Sequence, residues 1–409
     1  LKLNDSFHGS DIPSRKLKMK IAIVGGGPSG LYFGLLVKKR MPEASITVFE
    51  QNRANDTFGF GVVMADTGLS HLEAADKPTH DALAAAMRFS HKQLIKLDDQ
   101  ELAIEKPGAG GGAIPRLVLL DILQKHGADA GMDLRFSTRY DLSEPSFKQA
   151  LEDADLVVGA DGVNSVIRQQ QASAFGTTHR LLTNRFAWFG TEKVFECPAL
   201  VFKHVDGGRF IAHYYPYSDT MSTFVAECDE ATWVSCGLAD MTDEQRQAKF
   251  ESVFAAELEN MPLISSNSVW RQFPVVRNEH WSVGKTVLLG DALSSAHFSI
   301  GSGTRIAMED SIALAEAVLA LPEDIPAALA SYELNRRPSK TKLIAASENS
   351  FNWYENIQEP MSTGNVLAFV KSFMTRTGRI DEERLRKQFP ELVAALEAQK
   401  RQAELELVK

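Results

Sequence analysis

The amino-acid sequence predicts an α/β chain in which a parallel sheet covered by helices is interrupted by an antiparallel sheet and followed by a helical C-terminal region. Three observations carry this. Near the N-terminus an apolar strand runs into a glycine turn, a helical pattern and a second strand. The middle of the chain changes to short strands rich in aromatic and β-branched residues. The end is mostly helical.

The first unit reads Lys20–Val24, then GGGPSG and LYFGLLVKKR, then Ser45–Phe49 with Glu50 at its tip. Two parallel strands need a crossover between them, so this order predicts a β-α-β unit of the Rossmann kind. The preceding LKLNDSFHGSDIPSRKLK is polar and basic and lacks the apolar core of a secretory signal, so residues 1–18 are expected to be a disordered leader or tag. A helix over Arg116–His126 and strands Asp133–Phe136 and Asp155–Val158 return the chain to the first sheet. From Asn184 to Glu227 the runs RFAWFGTEKVF, ALVFKHV, GRFIAHYYPY and MSTFVAEC alternate with turn residues, predicting an inserted antiparallel sheet. Thr286–Leu289 is the next strand, and a long helix over Gly303–Leu319 resumes the first fold. An amphipathic, charged stretch from Glu382 onward is expected to pack on the body or on a second copy.

A chain of 409 residues that is 44% hydrophobic can bury a large core in about two to three lobes. Its net charge of -9 is dispersed along the sequence, which gives no footprint for nucleic acid or anionic lipid. Cys197, Cys228 and Cys236 have no C-x-x-C spacing, as expected of reduced structural thiols, and no apolar run is long enough to span a bilayer. A cytoplasmic protein, monomeric or homodimeric, is expected. The ten histidines show no metal-ligand spacing and there is no G-x-S-x-G elbow, so neither a metal site nor acyl-transfer chemistry is predicted.

Gly25, Gly27 and Gly30 satisfy G-x-G-x-x-G between a strand and a helix, with Ser29 inside the turn. Such glycines allow a tight turn, close approach of backbone to a pyrophosphate, and close helix–strand packing, while the helix N-terminus attracts phosphate. Glu50, with Gln51 and Arg53 beside it, stands where a ribose hydroxyl would be held. Gly108–Ala113 loosely repeats the pattern but follows Pro107 and is read as a flexible loop, which leaves one dinucleotide-binding unit. VVGADGVNSVIR places Asp161, Gly162, Ser165 and Arg168 after a strand, equally readable as an Asx-type turn. In VLLGDALSSAHFSIGSGTRIAMED, Gly290 and Asp291 can hold ribityl and phosphate groups, and Gly301, Ser302, Gly303 and Thr304 can bring a helix N-terminus against a ring.

In their order and spacing these three runs resemble the class A flavoprotein monooxygenases, the family with the para-hydroxybenzoate hydroxylase fold. The resemblance implies FAD as cofactor, NAD(P)H and dioxygen as cosubstrates, and a discontinuous FAD-binding domain over residues 19–180 and 270–335. A substrate domain would occupy 181–269 and a helical C-terminal region 336–409. It further implies that Asp161 and Arg168 serve FAD and NAD(P)H, that Asp291 meets the ribityl chain and that Arg116 in IPRLVLLDIL lies on its phosphate or ribityl side. Where that family commonly has GDAAH and a proline, this chain has GDALSSAHFSIGSGT. That string, together with DTFGFGVV, NRFAWFGT, YSDTMSTFVAEC and FNWYENI, is similar to the branch holding salicyloyl-CoA 5-hydroxylase, 2-aminobenzoyl-CoA monooxygenase/reductase and the violacein-pathway tryptophan-derivative hydroxylase.

An aryl-CoA thioester is therefore the expected substrate class, with an indole or tryptophan-derived intermediate, or a CoA ester of tropone-type biosynthesis, as alternatives. His297 and His213 are the candidate proton acceptors. Trp188, Tyr215, Tyr217 and Phe298 are candidates for an aromatic pocket, and Arg88, Lys92 and Arg209 for phosphate contacts. Phe58–Val63 is expected to shield the flavin, with Gly59 and Gly61 giving it room to move. A halogenase of the same fold is disfavoured because no W-x-W is present. A flavin-binding protein without turnover is the reading from a different class.

Overall fold

The computed structural model describes residues 18–56, 59–105, 110–266 and 269–407, so the leader expected over residues 1–18 lies, but for Lys18, outside the described residues, as does Phe58. A six-stranded sheet runs in the order Ser282–Val283, Thr286–Leu288, Leu156–Gly159, Lys20–Val24, Ser45–Phe49, Asp133–Arg135. It is parallel throughout except for the terminal Ser282–Val283 pairing. Its central strands are buried along their length apart from Lys20, as expected of a parallel sheet covered on both faces. The helices Pro28–Arg40 and Gly303–Ala320 pack against each other, and Ser311 Oγ donates to the Ser29 carbonyl at 2.8 Å across that contact.

The second sheet has seven strands: Arg271–Arg277, Thr178–Thr191, Ser222–Cys228, Gly208–Pro216, Ala199–Val205, Lys92–Leu97 and Gln100–Glu105. It extends beyond the 181–269 segment in both directions, because Lys92–Leu97 pairs parallel with Ala199–Val205 and Arg271–Arg277 pairs with Thr178–Thr191. Alternation along its strands gives two different faces. Phe210, Ala212, Tyr214, Phe224 and Ala226 point to one side and share a core with Phe250 and Phe254. His213, Tyr215, Trp188 and Val225 point to the other side, into a cleft.

A third, three-stranded sheet pairs Gly61–Ala65 and Arg88–Ser90 with Gly111–Pro115. This corrects the reading of Gly108–Ala113 as a flexible loop: Gly111, Gly112 and Ala113 are in a strand. A Cβ on Gly112 would lie 2.9 Å from Met87 Sδ, so the glycine marks close packing within a strand rather than a break.

The C-terminal region begins with the long helix Ile325–Glu355, and Val366–Thr375 and Pro390–Leu407 then pack beside the Lys92–Leu97 and Gln100–Glu105 edge. Between Gly303–Ala320 and Ile325–Glu355 lies a buried ionic cluster. Asp310 accepts from Arg336 Nε at 2.9 Å and from Lys340, while Glu309 accepts from Arg305 Nε at 2.8 Å and Arg336 Nη2 at 3.0 Å. No described helix is long and apolar enough to cross a membrane.

Candidate functional site

The nucleotide end is built where the Lys20–Val24 strand turns into the Pro28–Arg40 helix. Gly25 has φ +113°, donates to the Phe49 carbonyl at 2.8 Å, and has no room for a Cβ, which would lie 2.2 Å from Ala160 O. A Cβ on Gly30 would lie 2.2 Å from Gly25 O, so the helix presses directly on the turn. Gly27 differs: nothing lies within 4 Å of its added Cβ, and no side chain caps the helix that starts behind it. An uncapped helix N-terminus beside open space is what a pyrophosphate requires. Ser29 is buried in the first turn of that helix.

Glu50 sits at the tip of its strand as expected, yet its carboxylate is heavily engaged. Oε2 accepts from Gly26 N at 2.8 Å and Tyr140 Oη at 3.2 Å, and Oε1 from Asn52 N at 2.8 Å and Asn52 Nδ2 at 2.7 Å. Four bonds fill the lone-pair sites of a carboxylate, so a ribose hydroxyl would have to displace one of them, Tyr140 being the longest. Gln51 and Arg53 are exposed just beyond.

Asp161 resolves the two readings of its run by making the turn itself. Its carboxylate accepts from Ser165 Oγ and from the amides of Val166 at 2.7 Å and Ile167 at 3.3 Å, fixing the short helix that follows Gly162. Burial pushes this carboxyl above its ordinary value, and those hydrogen bonds oppose the shift. Arg168 is buried and donates to the carbonyls of Ala292 at 2.9 Å and Val163 at 2.5 Å. It thereby joins the second motif to the third, next to Gly290 and Asp291.

The ring end is a cleft of about 790 Å³ between the second and third sheets, within the size range of small-molecule sites. Arg116, Asp291 and the Gly301–Thr304 turn line one side. Among the described residues no side chain caps the Gly303–Ala320 helix there, so a second helix N-terminus opens on the cleft. Asp291 opens onto the cleft, and the protein packed around it raises its carboxyl above the ordinary range, with Lys340 and Arg116 opposing. Burial lowers the Arg116 guanidinium, and the Asp291 and Glu50 carboxylates oppose that shift. Open space at Gly27, two uncapped helix starts and an intervening Arg–Asp pair fit a flavin dinucleotide.

The opposite wall is aromatic. Trp188, Tyr215 and Phe298 line it, with the Phe298 ring 5.6 Å from Trp188. Tyr215 donates to the Gly61 carbonyl at 2.8 Å, and burial pushes its phenol up to about 12, so it remains a donor. Tyr217 does not line the cleft; it packs behind Gly61, whose added Cβ would lie 2.8 Å from it. Gly61 also donates to Thr223 Oγ1 at 2.9 Å, so it is pinned between the sheets rather than loose. Gly59 lines the cleft with φ +82° and open space around it.

The two histidines separate. His297 does not line the cleft: it lies among Phe273 and Phe298 and its Nδ1 faces Ser299 Oγ at 2.8 Å. Burial pulls it down to about 3, helped by the nearby His213 and Arg376 charges, so it is neutral and a poor proton acceptor at neutral pH. Its place beside the glycine turn in sequence does not decide which way its ring faces. His213 lines the cleft. Of the three basic candidates only Arg88 does so; Lys92 is exposed elsewhere and Arg209 Nε is held by Asp229 at 2.6 Å.

Sequence reasoning did not pick out Arg271, Arg376 or Glu227. Arg271 lines the cleft over the Trp188 ring at 5.2 Å and has no carboxylate partner among the described residues. Arg376 also lines it and donates to the Ser299 carbonyl at 2.8 Å. Glu227 is fully buried behind His213. Only the alternation of MSTFVAEC, which puts a carboxylate on the same side as Thr223 and Val225, hinted at the last.

Residues 18–347 match the family described as FAD binding domain. The chain is 38% identical over 370 residues to salicyloyl-CoA 5-hydroxylase of a Streptomyces species, covering 88% of this chain and 70% of that protein. It is 32% identical to 3-hydroxy-4-methyl-anthranilyl-(aryl-carrier protein) 5-monooxygenase of Streptosporangium sibiricum, covering 88% and 95% of the two chains. Protodeoxyviolaceinate monooxygenase of Chromobacterium violaceum is 33% identical, with 88% and 94% covered. Among solved structures, 2-methyl-3-hydroxypyridine-5-carboxylic acid oxygenase superposes with a TM-score of 0.70 at 16% identity, over 89% of this chain and 98% of that one.

Proposed function

The chain belongs to the FAD-binding-domain family of flavin-dependent aromatic monooxygenases, and from that premise we propose that it oxygenates an aromatic acyl group carried as a thioester, with an aryl-CoA as substrate. The observation that carries this reading is that relatives 38% and 32% identical over 88% of the chain are named for aryl thioesters, one on CoA and one on a carrier protein. The cleft suits such a molecule. Its aromatic wall of Trp188, Tyr215 and Phe298 can hold a ring, and Arg88 and Arg271 can meet anionic groups.

FAD, when bound and reduced by NAD(P)H, supplies the activation of dioxygen. We assign the protein's own part as follows. Gly25, Gly27, Ser29 and Gly30 shape the pyrophosphate turn, with Glu50, Gln51 and Arg53 at the adenosine end. Asp161, Gly162 and Arg168 brace that turn against Gly290. Arg116 and Asp291 meet the ribityl chain, and Gly301, Ser302, Gly303 and Thr304 present amides to the ring. The Gly61–Ala65 strand, held by Tyr215 and Thr223, closes the cleft against bulk water.

The test is a panel of free aromatic acids, their CoA thioesters and indoles, offered to the purified yellow protein with NAD(P)H. Thioesters should stimulate NAD(P)H oxidation and give a product carrying one oxygen atom from labelled dioxygen. Stimulation by indoles alone would transfer the reading to the relative named for protodeoxyviolaceinate. Colour with no stimulated turnover would indicate flavin binding without oxygenation.

A further inference from the structure

On the cleft-facing side of the second sheet stands a buried carboxylate that no structural requirement explains. Glu227 has no exposed side-chain surface, and its two recorded side-chain partners are Asn184, whose Nδ2 donates to Oε1 at 3.0 Å, and His213, whose Nε2 lies 3.0 Å from Oε2. A carboxylate removed from water is costly unless a strong donor compensates it. Core packing would have been served by an apolar residue, as on the other face of the same strand, where Phe224 and Ala226 stand. The sheet register accounts for the meeting. His213 lies opposite Val225 and Ile211 opposite Glu227, so the imidazole and the carboxylate are diagonal neighbours on one face.

His213 lines the cleft with 11% of its side chain exposed, its ring 5.6 Å from that of Phe298 and 5.4 Å from that of Tyr354. With Nε2 directed at Glu227, the ring's other nitrogen, Nδ1, takes no hydrogen bond from the described residues. We propose that Glu227 and His213 form a proton-holding pair for the oxygenation. Glu227 is the positioning residue that fixes the Nε2–H tautomer, and His213 is the catalytic residue whose Nδ1 accepts the proton of a hydroxyl or amino group on the substrate ring. This rests on the reading of an electron-rich aromatic substrate, though not on its thioester.

The step balances simply. The substrate O–H or N–H bond breaks, an N–H bond forms at Nδ1, and the electron pair stays on the substrate, where it enriches the ring for oxygen transfer. The oxygen atom and the reducing electrons come from dioxygen and NAD(P)H of the proposed activity. When the oxygenated ring recovers its aromaticity, His213 returns its proton to the substituent, and the proton lost from the ring carbon goes to the second oxygen atom of dioxygen, which leaves as water.

The charged and titratable groups around His213 are Glu227, Tyr215 on its own strand, Tyr354 from the long C-terminal helix, His297 with Arg376 behind it, Arg271 across the cleft, and Glu355 against the Asn184 amide at 2.9 Å. Glu227 is the one hydrogen-bonded to the imidazole. In Glu227→Gln the carboxylate acceptor that fixes the Nε2–H tautomer is replaced by an amide. The amide NH₂ would also donate to Nε2, favouring the wrong tautomer.

The experiment is done on the FAD-loaded protein with two readouts. Nitrogen-15 histidine NMR, assigned by the loss of one signal in His213→Gln, follows His213 without any substrate. Steady-state kinetics use whichever panel member the wild type turns over. In Glu227→Gln, the His213 nitrogen-15 signals should change from the Nε2–H to the Nδ1–H tautomer pattern, and kcat should fall about 10²-fold with KM little changed. Glu227→Asp should recover part of kcat. An unchanged His213 tautomer overturns the pair, as does a loss confined to KM. Turnover of free phenols or indoles in place of thioesters would sink the substrate class and leave these outcomes readable.

Discussion

Gly27→Val should give a folded protein that purifies without colour. The added side chain meets no protein atom at its Cβ, since nothing lies within 4 Å, and φ at Gly27 is -77°, a value any residue adopts. The space it fills is the one assigned to the pyrophosphate, in front of an uncapped helix start. Far-ultraviolet circular dichroism and melting temperature of the apoprotein should match wild type, while FAD affinity should fall at least about 100-fold, or about 2.7 kcal/mol. Gly25→Val is the contrasting variant. There the Cβ strikes backbone at 2.2 Å with φ +113°, so the fold itself should suffer. Retention of FAD by Gly27→Val with unchanged affinity would refute the cradle.

Asp310→Ala should strongly destabilise the cofactor-side half of the molecule. Asp310 has no exposed surface and is the recorded carboxylate partner of Lys340, which is 2% exposed, as well as a partner of Arg336. Removing it strands a buried ammonium, and breaking a buried pair from one side costs about 3–5 kcal/mol. Replacing both ends with apolar residues, as in Asp310→Leu with Lys340→Met, should restore most of that loss, because the desolvation penalty disappears with the charges. Urea titrations of the three proteins decide the matter. Equal losses in the single and double variants would show that packing, not charge, dominates. The neighbouring Glu309 adds a pH term. Burial alone would raise its carboxyl, but Arg305 and Arg336 hold it below the ordinary range. Its contribution is therefore complete above the unfolded glutamate pKa and is lost as pH falls through the lower folded value.

How much of this was legible in the chain depended on how local its cause was. Lys20–Val24 and Ser45–Phe49 appear with the expected bounds, because a short apolar run ending in glycine or acid specifies a buried strand by itself. Gly111–Pro115 was missed because its glycines look like breakers until Met87 and Phe89 are known to lie over them. Lys92–Leu97 and Gln100–Glu105 are short and each carries two charges, and they become part of the second sheet only through a partner about a hundred residues later, Ala199–Val205. The cofactor-facing glycine turns could be placed because one stretch of chain makes each of them. The His213–Glu227 pair could not, since it depends on strand register. His297 was overrated for the complementary reason: nearness to the glycine turn along the chain says nothing of an imidazole folded back among Phe273, Phe298 and Phe351.

Arg376 has a bearing on how the enzyme can be handled. It stacks on Phe373 with its guanidinium 3.7 Å from the ring centre, and it reaches Ser350 Oγ and the Ser299 carbonyl at 3.0 and 2.8 Å. The terminal helices are thus masonry of the reaction chamber rather than an appendage. Trimming the gene after Gly364 to obtain a smaller catalyst would take Phe373, Met374, Arg376, Thr377 and Ile380 out of the wall and let solvent reach the oxidising centre. Such a truncate should waste reductant as hydrogen peroxide, which a peroxidase-coupled assay would register.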